Sequence, residues 1–92
     1  MLVVRWAEEA TRDLVEIIDY IEQRNPIVSA RLHDDIVQTA ERLGDMPFLY
    51  RSGRVPGTRE AVVRPNYLIV YRVGDGVIDL LRILHARERY PL

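Results

Sequence analysis

The chain predicts an α+β fold in the order β-α-α-β-β-β, and three observations among its 92 residues carry that prediction. Two amphipathic helical stretches meet at a single Asn-Pro joint. Three β-branched runs follow, divided by Pro and Gly. A short β-branched segment precedes them all. The expected architecture is a helical hairpin packed on one face of a small, twisted antiparallel sheet, in one domain spanning residues 1–92.

Each element has its own reason. Leu2-Val3-Val4-Arg5-Trp6 is a short apolar, β-branched and aromatic run and reads as a strand. From Ala7 the period changes. Ala10, Leu14, Ile17, Ile18 and Ile21 fall on one helical face, with Tyr20 beside them, and acids fill the opposite face. Glu8 and Glu9 stand in the first turn, where the helix dipole favours them. Asn25-Pro26 ends this helix and starts the next, because Asn caps well and Pro suits the first helical position. The second helix runs to about Leu43 on a face of Val28, Leu32, Ile36, Ala40 and Leu43, and Gly44 is expected as a left-handed stop. Residues 45–58 hold Pro47, Gly53, Pro56 and Gly57 and read as a long loop. Three strands follow at Arg59–Arg64, Tyr67–Val73 and Val77–Leu84, the last two central because both faces are apolar.

Composition excludes whole classes of function. No Cys is present, so there is no disulfide scaffold, thiolate zinc site or thiol nucleophile, and two His are too few to suggest a metal centre. No metal and no cofactor are expected. No apolar run approaches the roughly 20 residues of a membrane helix, and no apolar signal segment follows the N-terminus. A cytoplasmic protein without membrane partners is therefore expected.

Net charge is −1, but its distribution is uneven. Residues 1–45 carry ten acids against five Arg, a net of −5, and residues 46–92 carry eight Arg against four acids, a net of +4. Every basic residue is Arg, which suits planar, bidentate contact with phosphate or carboxylate. Arg51, Arg54, Arg59, Arg64, Arg72, Arg82, Arg87 and Arg89, with Tyr67, Tyr71 and Tyr90 among them, suggest a basic face opposite the helices for a polyanion or acidic peptide. That face depends on the register across Gly74-Asp75-Gly76. A three-residue loop sets Arg72 opposite Ile78 and turns Arg72 and Arg82 outward, and this is the preferred register. A two-residue loop sets Arg72 opposite Asp79 as a cross-strand pair. His85 beside Arg87 has the chemistry of a general acid or base next to a phosphate clamp, although a strand-end His bonded to backbone is the simpler reading. Glu60 and Asp79 stand alone among arginines and read as ion-pair partners.

Four segments carry a family resemblance. Asp13-Leu14-Val15-Glu16-Ile17-Ile18-Asp19-Tyr20-Ile21 resembles the first helix of ParE-type proteins. Gly53-Arg54-Val55-Pro56-Gly57-Thr58-Arg59-Glu60 resembles a loop-to-strand motif, Pro65–Val73 a central strand and Leu81–Arg87 a last strand. In this order they resemble the RelE/ParE superfamily of type II toxin–antitoxin toxins over nearly the whole chain.

The resemblance implies a small toxin, acting in growth inhibition or plasmid stabilisation, that forms a hetero-oligomer with a cognate antitoxin. RelE-type members cut mRNA on the ribosome, whereas ParE-type members poison DNA gyrase without a hydrolytic site. The nuclease type carries an Arg one residue after the position of Tyr67, and here that residue is Leu68. Arg87 matches a second nuclease Arg. His85 stands near the His of a His-Tyr pair found in some nucleases, but Ala86 follows it. The expectation is thus a ParE-like gyrase inhibitor. The alternative is a RelE-like nuclease built from His85, Arg87, Arg64 and Arg82, with Glu60 as orienter. A degenerate module that only binds antitoxin is a third reading. The implied target- or antitoxin-binding surface is Arg54, Arg59, Tyr67, Arg72, Arg82, Arg87 and Arg89.

Overall fold

The computed structural model describes residues 1–91. The elements are β1 (Val3–Trp6), α1 (Glu8–Glu22), α2 (Pro26–Leu43), β2 (Arg51–Ser52), β3 (Arg59–Val63), β4 (Tyr67–Val73) and β5 (Val77–His85). The predicted order holds, with one strand added: β2 lies inside the segment expected to be loop. It is two residues long and pairs Arg51 with Glu60 and Ser52 with Arg59. So short a strand leaves no periodicity to read.

The five strands lie in the order β1-β5-β4-β3-β2. The sheet is mixed rather than antiparallel, because β1 runs parallel to β5, with Val3 opposite Val77 and Trp6 opposite Leu80. The helical hairpin supplies the long crossover that a parallel pair requires. Both apolar strands, β4 and β5, are internal, as their composition predicts.

The Asn25 carboxamide accepts the Val28 N–H at 3.2 Å, and Pro26 opens α2. Buried Ser29 donates its hydroxyl to the Ile18 carbonyl at 3.0 Å, joining the two helices where a larger side chain would separate them. Ser29 and Thr39 complete the buried stripe of α2 with Leu32, Ile36, Ala40 and Leu43, while Val28 faces outward. Gly44 is right-handed at φ −60°, not the expected left-handed stop. Glycine is required there by close approach: a Cβ would meet the Leu2 carbonyl oxygen at 2.8 Å.

The helices cover one face of the sheet. Ile69, Tyr71, Ile78, Leu80 and Ile83 from the strands join Ala10, Leu32, Ile36 and Leu43 in one cluster. Tyr71 is fully buried and donates its hydroxyl to the Pro47 carbonyl at 2.8 Å, tying the loop after α2 to the centre of the sheet. Burial pushes the Tyr71 phenol above the ordinary value of 10.0, against a smaller opposing pull from Arg59.

The preferred hairpin register is not the one adopted. Arg72 stands opposite Asp79 and Val73 opposite Ile78, the two-residue-loop alternative. The register then shifts between Val70 and Tyr71: Tyr71 faces Leu80, but Val70 faces Arg82. Leu81 is the extra residue of this bulge. Beyond it Leu68 meets Leu84 rather than Arg82. A bulge permits two registers in one hairpin, and fixed-offset pairing does not anticipate it.

β1 ends opposite Leu80, so the outer edge of β5 is bare from the bulge onward. Helix α1 fills this gap. The Asp13 carboxylate accepts the Ile83 backbone N–H at 3.0 Å and Arg82 Nε at 2.7 Å through one oxygen, and Arg82 Nη2 at 3.2 Å through the other. Arg82 is therefore bent around the sheet edge towards the helix.

Asp13→Ala removes all three bonds, so we expect a loss of about 2–3 kcal/mol, between the cost of an unsatisfied buried donor and that of a broken buried ion pair. A urea unfolding midpoint measures it. Tyr71 gives a second expectation. Its folded-state pKa is raised, so its contribution is fully present below pH 10, the unfolded value, and declines as pH rises through the folded value. Denaturant midpoints between about pH 9 and 11.5 should therefore fall, and less steeply in Tyr71→Phe.

Candidate functional site

Alternation along β4 and β5 leaves Leu68, Val70, Arg72, Asp79, Arg82 and Leu84 on the face away from the helices. This face is not the open arginine platform expected. Leu68, Val70 and Leu84 are buried there. Two segments roof them: the loop between β2 and β3, and the chain after His85.

Glu60 organises the loop. Its side chain is 2% exposed, points into the same face and accepts the Arg54 backbone N–H at 3.0 Å. Arg54 Nε lies 3.2 Å and Arg51 Nη2 3.6 Å from the same carboxylate. Gly53 is needed here, since a Cβ would lie 2.5 Å from the Thr58 hydroxyl. Arg54 then reaches outward and donates to the Glu88 carbonyl at 3.2 Å, fastening the C-terminal segment. Arg82 stands 5.8 Å from the centre of the Tyr90 ring, a second fastening. Arg82 is held above its usual pKa range chiefly by the hydrogen bond to Asp13, against the opposing effect of burial.

The proposed nuclease residues therefore divide. Glu60 and Arg82 are committed to ion pairs that hold the fold, and Glu60 orients loop arginines rather than a catalytic group. His85, Arg64 and Arg87 share one end of the sheet, because His85 pairs with Tyr67 and Tyr67 with Val63. The His85 ring meets Tyr67 edge-on at 5.4 Å between centroids. Its Nδ1 accepts the Arg87 backbone N–H at 3.1 Å, so the bonded strand-end His anticipated from sequence is present. Arg64 and Arg87 are exposed, and neither guanidinium has an ion-pair partner among the described residues.

The expected binding surface divides as well. Arg59 donates to the Tyr50 carbonyl at 2.7 Å and lies over the Phe48 ring at 4.9 Å, away from Arg54 and Arg82. Tyr67 is half-buried on the helix side, and burial raises its phenol pKa. Asp79, facing Arg72, is engaged by Arg5 across the β1–β5 pair at 3.0 Å. Arg72, Arg87 and Arg89 remain exposed. Sequence reasoning missed the cleft between the helical hairpin and the β3–β4 turn: Val28, assigned to the apolar face of α2 by its spacing, stands 44% exposed on its wall. Among the described residues no helix is long and apolar enough to cross a membrane, and no cluster of His, Cys, Asp and Glu is suited to a metal ion.

The described residues form a helical hairpin on a small mixed sheet, with several exposed arginines that make no ion pair among them and shallow clefts along the surface. Comparison with known proteins names the class. Residues 4–90 match the family model of the ParE toxin of the type II toxin–antitoxin system parDE. Toxin RelE2 of Caulobacter vibrioides is 38% identical over 88 residues, covering 94% of this chain and 97% of that protein. A chain of the chromosomal ParDE toxin–antitoxin system of P. aeruginosa superposes with a TM-score of 0.84 at 26% identity, over 95% of this chain and 98% of the other. A chain of the RelBE2 toxin–antitoxin complex of Mycobacterium tuberculosis gives 0.63 at 27% identity, over 91% and 96%. The chain belongs to the ParE toxin family, within the RelE/ParE superfamily of type II toxins.

Glu60→Ala should leave the Arg54 N–H without its acceptor and cost about 1–3 kcal/mol. Limited trypsin digestion should then cut after Arg54 sooner than in the parent, with cleavage after Arg12 unchanged.

Proposed function

We propose that this toxin acts as a ParE-like inhibitor of DNA gyrase and is neutralised by a cognate antitoxin. The observation that carries this reading is Leu68. RelE-type nucleases have a cation at that position, whereas here a 3% exposed Leu lies opposite Leu84 on the face away from the helices. A group that would stabilise charge developing on a scissile phosphate is absent. Arg82 and Glu60 are both engaged in ion pairs, which takes two further members from the nuclease set. The family match to ParE and the ParDE neighbour support the same reading.

On this reading the arginines facing the target are Arg72, Arg87 and Arg89, which are exposed. Arg54, Arg59 and Arg82 hold the scaffold beneath them. The RelE-like alternative rests on one arrangement: the His85 ring lies edge-on to Tyr67, with Arg64 and Arg87 at the same end of the sheet. Acting so, it would be a ribosome-dependent nuclease.

One culture tests both. The chain is induced without antitoxin while mRNA integrity and gyrase-linked DNA breaks are followed together. Double-strand breaks with intact mRNA are expected, and Arg72→Gln with Arg89→Gln should reduce them with little change in the unfolding midpoint. Rapid mRNA cleavage with intact chromosomes would replace this reading with the nuclease one. Normal growth with neither signal would leave a chain that only binds antitoxin.

A further inference from the structure

The connector between α2 and β2 crosses one end of the sheet. It starts beside β1, where the Gly44 carbonyl accepts the Leu2 N–H at 2.8 Å, passes β4, where Pro47 accepts the Tyr71 hydroxyl, and reaches the opposite edge at Arg51. Three large apolar side chains on it stand open to solvent: Met46 at 52%, Phe48 at 64% and Leu49 at 58% exposure. Single exposed apolar residues are ordinary on a protein surface, but three within four positions form a patch, and patches mark contact sites.

The fold holds this patch still. Besides the Tyr71 bond, Arg59 donates to the Tyr50 carbonyl at 2.7 Å and lays its guanidinium 4.9 Å from the centre of the Phe48 ring. The Met46 N–H bonds to the Arg42 carbonyl at 2.9 Å and the Leu49 N–H to the Met46 carbonyl at 3.3 Å. A segment ordered in advance gives up little further freedom when a partner lands on it, so its apolar contacts count more fully towards binding. Beside Phe48 opens a cleft of about 380 Å³, walled by Phe48 and Val73 and by the turn Pro56, Gly57, Thr58 and Arg59. Gly57 sits at φ +84° with open space where a Cβ would be, so the turn leaves the mouth clear. Arg59 is the one charged residue lining the cleft, and Arg72 adjoins Val73. Among the described residues neither arginine makes an ion pair.

We propose that this end of the sheet is the surface by which the toxin grips its target protein, at a site where the target presents a large apolar side chain beside a carboxylate. The apolar side chain enters the cleft between Phe48 and Val73, Leu49 and Met46 extend the contact along the connector, and the carboxylate meets Arg59 and Arg72. The inference rests on the gyrase reading above and assigns the contact to gyrase protein rather than to its DNA. Met, Phe and Arg are the residues enriched at the cores of protein interfaces, and two of the three exposed side chains are aliphatic and have no ring to stack on a base. Charge selects the partner. A twofold contact with a second copy would set Arg59 and Arg72 against the same arginines, whereas an acidic target surface neutralises them. The patch is also continuous, through Val73, with Arg72, which the proposed function already turns towards the target.

The test titrates the purified chain into DNA gyrase holoenzyme with plasmid DNA, reading supercoiling and trapped double-strand breaks, while calorimetry follows binding of the separately expressed antitoxin. Phe48→Ala with Leu49→Ala should raise the concentration for half-maximal effect on gyrase roughly tenfold or more, as truncation of central apolar anchors does. Antitoxin affinity and the unfolding midpoint should stay close to the parent's, because both side chains are exposed. Phe48→Tyr, which keeps the ring, should retain activity, and Val15→Ala, at an exposed apolar position of α1, should act as the parent does. A folded double variant with parental potency overturns the patch and leaves the gyrase reading standing. A parent chain without effect on gyrase overturns both. Loss of antitoxin affinity, alone or in equal measure with potency, overturns the assignment to the target. So does a parent that elutes as a dimer while the double variant elutes as a monomer, since the patch then serves a second copy. If the double variant fails to fold, Leu49→Ala alone serves the same comparison, with a smaller loss expected.

Discussion

The position of every other element depends on how the outer edge of β5 is closed. β5 is the longest strand, and its parallel partner β1 covers it only as far as Leu80. Bare strand edges invite pairing with other chains. Here a side chain from a helix stands in for the missing strand. Asp13 takes the Ile83 N–H as a neighbouring carbonyl would, and its charge draws in Arg82. A carboxylate with a bidentate guanidinium and a backbone donor is well satisfied, which offsets its desolvation. The same contact fixes the position of α1 along the sheet. With α1 placed, the Ser29–Ile18 bond places α2, and the hairpin's apolar stripe covers Ile69, Tyr71 and Ile83.

The opposite face is closed by a different method. Strands with apolar residues on both faces need two covers, and this short chain has only one helical layer. The loop after β2 and the segment after β5 provide the second cover. Both are polar, and both are held by arginines anchored on carboxylates: Arg54 on Glu60, Arg82 on Asp13. The basic half of the sequence is therefore largely scaffold. Its excess charge reaches the surface only through the arginines left over, and these are the ones open to partners.

Much of this was legible in the sequence. Helical periodicity, the Asn25-Pro26 joint and the β-branched runs are local signals, and they placed both helices and four of the five strands. The family segments led to the same fold, and the ParE match supports them. The illegible parts are non-local. Whether β1 runs parallel or antiparallel depends on where the hairpin returns it, which no residue of Val3–Trp6 encodes. The Leu81 bulge shifts the register by one residue, so neither simple pairing scheme describes the whole β4–β5 hairpin. From sequence Arg82 reads as a surface cation, because its partner lies 69 positions away, on the acidic face of α1. Glu60 reads as an ion-pair partner of arginine and is one, but nothing among its neighbours in sequence encodes its burial.

The uneven charge distribution acquires a physical meaning from these contacts. An acidic first half and a basic second half attract each other, and the Asp13–Arg82 pair joins them in that sense at the β1–α1 side of the sheet, where Arg5–Asp79 adds a pair of the opposite polarity. Along α2 and the β3–β4 turn, Arg31, Arg42 and Arg64 make no ion pair among the described residues. There they face a groove with Asp35 alone among them. Surface ion pairs contribute little to stability individually, so leaving three arginines unpaired costs the fold little. It gives the groove a field that favours acidic segments over basic ones, and electrostatic complementarity acts on partner choice and association rate more than on final affinity. The fold satisfies its charges where two halves of the chain must be held together and leaves them unsatisfied beside the one stretch of β3 that still lacks a neighbour.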